Sequence, residues 1–164
     1  MNELNIRNVP LMAAVAASFT QIGAQLFALS VVASTVSSAP PRSFAILQGE
    51  YRYDSSAFWE IVPAITFVLM LITLIANWKT PRRKLVLLAL MLFIVGGILA
   101  GLYLEPIFDE MKAIGFRDDV DPVLQSRAAT WYIMDWGVWC IGLAGGLALL
   151  FALTRPSSLP EFSG

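Results

Sequence analysis

Four long apolar blocks, separated by short polar stretches, constrain this chain more than any other feature of it. They cover about residues 11–36, 57–78, 85–104 and 128–154. A helix of roughly 20 apolar residues crosses the hydrocarbon core of a bilayer, and each block reaches that length. With 57% of its 164 residues hydrophobic and only 14% charged, the chain has the make-up of a multi-pass membrane protein. The expected fold class is all-α, an integral membrane antiparallel four-helix bundle, in a single domain over 1–156. The remainder, "SSLPEFSG" at 157–164, has no structural pattern and reads as a disordered tail or a cloning remnant.

Composition excludes several kinds of chemistry. The formal net charge of −1 gives no reason to expect a nucleic-acid partner. Histidine is absent, which removes the commonest metal ligand, the usual proton shuttle near neutral pH and any histidine-bound haem. The single cysteine, Cys140, rules out an internal disulfide or a dithiol redox pair and reads as a buried, small apolar packing residue. No Gly-rich phosphate loop, nucleophile elbow or Cys/His spacing occurs. No cofactor and no metal are expected.

The first block follows Pro10 and is preceded by Arg7, so a secretory signal ending near "STVSSA" competes with a retained span. The block is too long for a signal and is interrupted by Gln21 and Gln25, which favours the span. Residues 37–56 form a polar connection broken by Pro40, Pro41 and Gly49, with Tyr51 and Tyr53 suited to a membrane interface. Ser56 stands as a cap before "AFWEIVP", where Pro63 allows a kink. In "KTPRRK", Thr80 is a candidate cap and Pro81 a first helical residue.

Past the third block, Ile107, Phe108, Met111 and Ile114 recur at helical spacing while Asp109, Glu110 and Lys112 take the other face, and Gly115 is a stop. Helix 3 is therefore expected to continue beyond Pro106. "DVDP" offers Asp121 as cap and Pro122 in the first turn of a fourth helix of about 30 residues, ~48 Å long. Both helices should extend past the outer membrane face. The basic turn at Lys79, Arg82, Arg83 and Lys84 should be cytoplasmic, which puts both termini there too, in the inner (plasma) membrane of a bacterium.

Polar chemistry gathers on the fourth block. Arg127, Trp131 and Asp135 are spaced four apart, so they share one helix face, which Trp139 continues. Arg127 and Asp135 are ~12 Å apart along the axis, so each needs another partner, and Glu60 and Glu105 are the candidates. Ionisable groups at such depths face the interior of a bundle or water, which points to a polar pocket in the outer half. Gln25, with Gln21 one turn before it, reaches the lower part of that pocket or clamps the first span to a neighbour. Trp59, Trp131 and Tyr132 fit either an aromatic belt or the walls of an apolar site. A hard cation held by Glu60, Glu105 and Asp135 is a further reading. Gly97 and Gly101 lie level with Asp135 and Trp136, which suggests that rings of the fourth helix rest on small residues of the third.

These features in this order resemble the anthrone-oxygenase-like family of small four-span membrane proteins. The resemblance rests on the polar outer loop, Pro63, the basic inner turn, "YLEP" at Tyr103 to Pro106 and the Trp-rich fourth block. Members of that family tend to carry an asparagine shortly after the proline that closes span three, whereas here the chain reads "EPIFDEM". The resemblance implies an antiparallel four-helix bundle with an outer pocket, and an oxygenase-like activity on polycyclic phenols that uses no bound metal or flavin.

The expected function is the binding of a hydrophobic or aromatic small molecule in that pocket. If the chain is an enzyme, a buried carboxylate would be the base that takes a proton from a phenol-like substrate, Asp135 being the first candidate and Glu60 the second. Glu105, Arg127, Trp131, Trp59, Tyr132 and Gln25 would supply the contacts. Membrane lipid and a second copy of the chain are the other expected partners. The alternative is a structural or accessory membrane subunit whose buried charges only lock the bundle. A proton-coupled transporter comes third, because four spans without an internal repeat are few for one.

Overall fold

The computed structural model describes residues 7–157. Among these the chain is all-helical, without strands. Four helices are long and apolar enough to cross a membrane: α1 (Asn8–Ser38), α2 (Ser56–Ala76), α3 (Arg83–Ile114) and α4 (Pro122–Leu153). Residues 158–164, most of the proposed tail, lie outside the described residues. The carbonyl of Ser157, just before them, accepts a bond from Arg7 at 2.8 Å.

Local sequence explains how these helices start, bend and stop. Asp121 caps α4 by accepting from the amides of Val123 and Leu124 at 2.8 and 3.2 Å, with Pro122 at the first helical position. At α2 the cap position is Ser55, whose side chain makes no capping bond, rather than the expected Ser56; Asp54 holds the start of the helix, its Oδ1 accepting both the Ser56 amide at 3.0 Å and the Ser56 hydroxyl at 2.7 Å. Those two bonds, backbone first, hold the Asp54 carboxyl below its usual pKa. Helix α3 starts two residues after the expected Pro81, and Thr80 serves the turn instead, accepting from the Arg82 amide at 3.3 Å and donating to the Asn77 carbonyl at 2.9 Å.

Pro106 lies inside α3 and does not end it. A proline lacks an N–H and its ring crowds the carbonyl four residues back. The helix answers by widening into a π turn over Ala100–Leu104, where the Glu105 amide reaches the carbonyl of Ala100, and α-helix resumes over Glu105–Ile114. The stop is Gly115, at φ 76° and ψ 178°, a conformation essentially reserved for glycine.

Hydrogen bonds tie the helices and their connections together at two ends. At one end, the buried Arg82 guanidinium joins three elements: Nη1 donates to Asn8 Oδ1 at 2.5 Å and Nε to the Arg155 carbonyl at 2.8 Å. Burial lowers the pKa of Arg82, but a guanidinium keeps its charge, and the close of α4, the negative end of a helix dipole, suits it. Beside it Asn77 donates to the carbonyls of Thr73 and Arg7. At the other end, Ser37 donates to the Ala128 carbonyl at 3.2 Å and the Asp121 amide to Pro40 at 2.9 Å. The connection between α1 and α2 folds over that end, with Phe44 and Leu47 buried in it.

Helix α4 packs against α3 and α1, and α2 against α1 and α3. One apolar cluster, around Leu11, Met70, Val86 and Leu149, fills the end near Arg82; another, around Leu29, Phe44, Met111 and Trp131, fills the opposite end. Between them the helices meet through glycine. A Cβ on Gly146 would lie 2.6 Å from Ile22 Cδ1, and one on Gly145 3.5 Å from the Ala89 carbonyl oxygen. The expected contact at Gly97 and Gly101 does not form: a Cβ on either meets nothing within 4 Å, and Gly96 abuts Val138 and Ile141 instead. A helix turns by 100° per residue, so presenting Gly96 to α4 carries Gly97 away from it.

The long helices expose many large apolar side chains. Along α2, Ile61, Ile65, Val68, Ile72 and Ile75 are 47 to 75% exposed, a continuous surface far larger than soluble proteins carry. Cys140, expected to be buried, belongs to this outer surface. The side of α4 that meets its neighbours is taken by Trp139, Gly145 and Gly146, and Cys140 is exposed away from it.

Candidate functional site

The four-residue stripe on α4 meets a different neighbour at each step. Arg127 forms an ion pair with Glu110, both side chains being exposed. Glu60 and Glu105, the expected partners of Arg127 and Asp135, are exposed and pair with neither. The reason is the passage of α3 through Pro106, which carries Glu110 up to the level of Arg127. One turn on, Trp131 is 7% exposed; its indole N–H donates to the Leu104 carbonyl at 3.1 Å and its ring stacks on Phe108, centroids 5.2 Å apart at 11°.

Asp135 follows in the seam between α4 and α1. It is half-buried, and its Oδ1 accepts from Gln25 Nε2 at 3.1 Å. Trp139 then donates its indole N–H to the Ile22 carbonyl at 3.1 Å. The two tryptophans therefore tie α4 to α3 and to α1, with the Asp135–Gln25 pair between them. Of the residues singled out in the sequence, Asp135 and Gln25 are brought into contact, and Arg127 and Trp131 share one wall.

That wall belongs to a groove of about 520 Å³ between the far end of α3 and the first turns of α4, lined by Ile107, Val123, Ser126, Arg127, Thr130 and Trp131. Its surface is mainly apolar, with a guanidinium and two hydroxyls along one side. A second, internal cavity of about 40 Å³ lies deeper, where Ser18, Gln21 and Gln25 of α1 face Gly142, Gly145 and Gly146 of α4. It is large enough for a water molecule, and Gln21 Oε1 is buried with no partner among the described residues. Gln25 lines this cavity and also bonds Asp135.

The remaining candidates lie elsewhere. Trp59 packs edge-on against Phe58, centroids 5.0 Å apart, and Tyr132 against Trp136 at 6.3 Å. Neither lines the groove or the cavity, and neither do Glu60 and Glu105. Among the described residues no three metal-binding side chains converge, so Glu60, Glu105 and Asp135 do not form a cation site. Sequence reading missed Ile107, Val123, Ser126 and Thr130 as groove residues, and Glu110 as the partner of Arg127. The signal for Glu110 was present, since the 105–114 periodicity puts it on the polar face of an extended helix.

The fold thus defines an all-helical chain with four helices able to cross a membrane, a polar pair in one interhelical seam and an open groove beyond it. Compared with known protein families, with curated proteins and with solved structures, the chain matches none.

Proposed function

We propose that this chain is an integral membrane protein, an antiparallel four-helix bundle with both described ends on the cytoplasmic side, that binds a hydrophobic or aromatic small molecule in the groove between α3 and α4. The far parts of these two helices stand beyond the outer membrane face in this reading, so the groove opens where an apolar molecule can arrive from the lipid. The observation that carries it is the groove's lining, an apolar floor from Ile107 to Trp131 with Arg127, Ser126 and Thr130 on its polar side. Few, well-placed polar groups in a mainly apolar concavity are the usual make-up of small-molecule sites. The resemblance to the anthrone-oxygenase-like family supplies the first ligands to try, polycyclic phenols, whose ring system suits the floor and whose hydroxyl suits Arg127.

Native mass spectrometry of protein released from a mild detergent tests this. A small aromatic or hydrophobic molecule should co-purify, or an added polycyclic phenol should bind, and Val123→Trp should abolish it. Val123 is 76% exposed, so the substitution fills the groove without disturbing the core. Binding that survives Val123→Trp, or its absence from the wild type, overturns the reading.

A structural or accessory subunit is the second reading, favoured by a specific observation. The indole N–H groups of Trp131 and Trp139 and one carboxylate oxygen of Asp135 are engaged by a neighbouring helix, as locking residues would be.

A further inference from the structure

The eleven Lys and Arg residues divide between the two ends of the helices, and among the described residues the acids do not follow them. Arg7, Lys79, Arg82, Arg83, Lys84 and Arg155 lie where α1 begins, α2 turns into α3 and α4 closes. Among the described residues no carboxylate lies at that end: the acids fall in the α1–α2 connection, at Glu60, from Glu105 to Asp121, and at Asp135. At the opposite end four of the five cations, Arg52, Lys112, Arg117 and Arg127, are paired with carboxylates. Among the described residues none of Lys79, Arg82, Arg83, Lys84 and Arg155 has such a partner.

Arg82 is satisfied internally, by Asn8 and the close of α4. Arg83 and Lys84 are not. Both are exposed on the first turn of α3, where the helix dipole adds positive potential to their own charge. The Arg83 guanidinium stands 5.2 Å above the ring of Trp78, which is itself 50% exposed. Directly beside this turn on the apolar helices, Ile75 is 75% and Leu88 49% exposed. Cations, a tryptophan and bare aliphatic side chains follow one another here in the order in which a phospholipid presents phosphate, glycerol and acyl chain.

We propose that the turn from Trp78 to Lys84 binds the head group of an anionic phospholipid, Arg83 and Lys84 taking the phosphate and Trp78 the glycerol region. The assignment rests on the membrane reading above and is independent of the groove at the other end. A lipid is favoured over a soluble phosphate because the aliphatic side chains flanking the turn offer a surface only an acyl chain would use.

The test uses the full chain in nanodiscs made from equal parts of phosphatidylglycerol and phosphatidylcholine, with retained lipids counted by native mass spectrometry. The wild type should keep phosphatidylglycerol in preference to phosphatidylcholine. Arg83→Ala with Lys84→Ala should reduce that preference about 30-fold, the loss expected for two membrane-surface cations, and Arg83→Lys with Lys84→Arg should retain it. No preference in the wild type, or an unchanged one in the double alanine variant, overturns the proposal. So does displacement of the lipid by inorganic phosphate, which would mark a site for the free anion. Failure with protein that still needs detergent for extraction refutes this assignment alone, whereas recovery of the chain without detergent refutes the membrane reading with it.

Discussion

Breaking the contact between Asp135 and Gln25 separates a lock from a site. The pair joins α4 to α1 through one bond of 3.1 Å, from Gln25 Nε2 to Asp135 Oδ1, and Asp135 is only half-buried. Side-chain hydrogen bonds between membrane helices average ~0.6 kcal/mol and reach ~1.7 kcal/mol, so the bond should contribute about 1 kcal/mol. Asp135→Leu removes the acceptor and strands the Gln25 amide, which should cost about 1–2 kcal/mol. Asp135→Asn keeps an oxygen where Gln25 donates and should cost less than ~0.5 kcal/mol. A double-mutant cycle with Gln25→Leu isolates the bond: the two leucines together should cost about 1 kcal/mol less than the sum of the single changes. Reversible unfolding in mixed micelles of mild detergent and dodecyl sulfate measures all four proteins. A coupling below ~0.3 kcal/mol, within the additivity error of independent sites, would refute the lock. In that case the contact seen between α4 and α1 at Asp135 does not hold the two helices together.

Four further perturbations probe other parts of the structure. Trp131→Phe should cost about 2 kcal/mol, because it removes the bond to the Leu104 carbonyl and, at a site only 7% exposed, some of the indole's packing as well; the same micelle titration detects it, and no loss would remove both from the account. Gly115→Ala should cost about 1–3 kcal/mol, since φ is 76° and the new Cβ would lie 2.8 Å from Gln48 Nε2, whereas Gly97→Ala, with open space around it, should cost nothing measurable. Because Ser56 holds the folded pKa of Asp54 below the ordinary 3.8, its capping contribution is complete above pH 3.8 and fades as pH falls through the lowered value. The Ser56 amide shift followed by NMR should titrate below 3.8, and a midpoint at or above it would count against the cap. Finally, Cys140, exposed in mid-α4, should resist a sulfonated maleimide in intact vesicles and react after denaturation; labelling in the vesicles would show that this face meets water.

Local signals in the sequence reported what neighbours along one chain do to each other. The four apolar blocks are the four long helices, "DVDP" names its own cap, and the stripe from Ile107 to Ile114 marks a helix that survives Pro106. Each depends on spacing of a few residues, which sequence states directly. Asp54 rather than Ser56 holds the start of α2 for an equally local reason. A carboxylate two residues earlier can accept the Ser56 amide and hydroxyl together, and a serine hydroxyl competing for the same role donates to it instead.

Rotation of one helix against another is a different quantity, and an apolar span does not encode it in its polarity. In lipid the outward face of a helix is as hydrophobic as the inward one, so the pattern that orients helices in water is missing here. That is why Gly96 rather than Gly97 meets α4, and why Cys140 lies on the outer surface. The same ambiguity governed the candidate site. Residues 127, 131 and 135 could be placed on one face of α4 from their spacing, but whether Asp135 meets Gln25, Glu60 or Glu105 depends on which helix lies opposite. The polar residues inside the bundle are therefore the orienting signal that apolar periodicity lacks: Gln25 with Asp135, and the indoles of Trp131 and Trp139 on the carbonyls of Leu104 and Ile22, set the register of α4 against both neighbours. Three bonds of about 1 kcal/mol each add little to total stability, yet a helix slid or rotated by one residue forfeits all three.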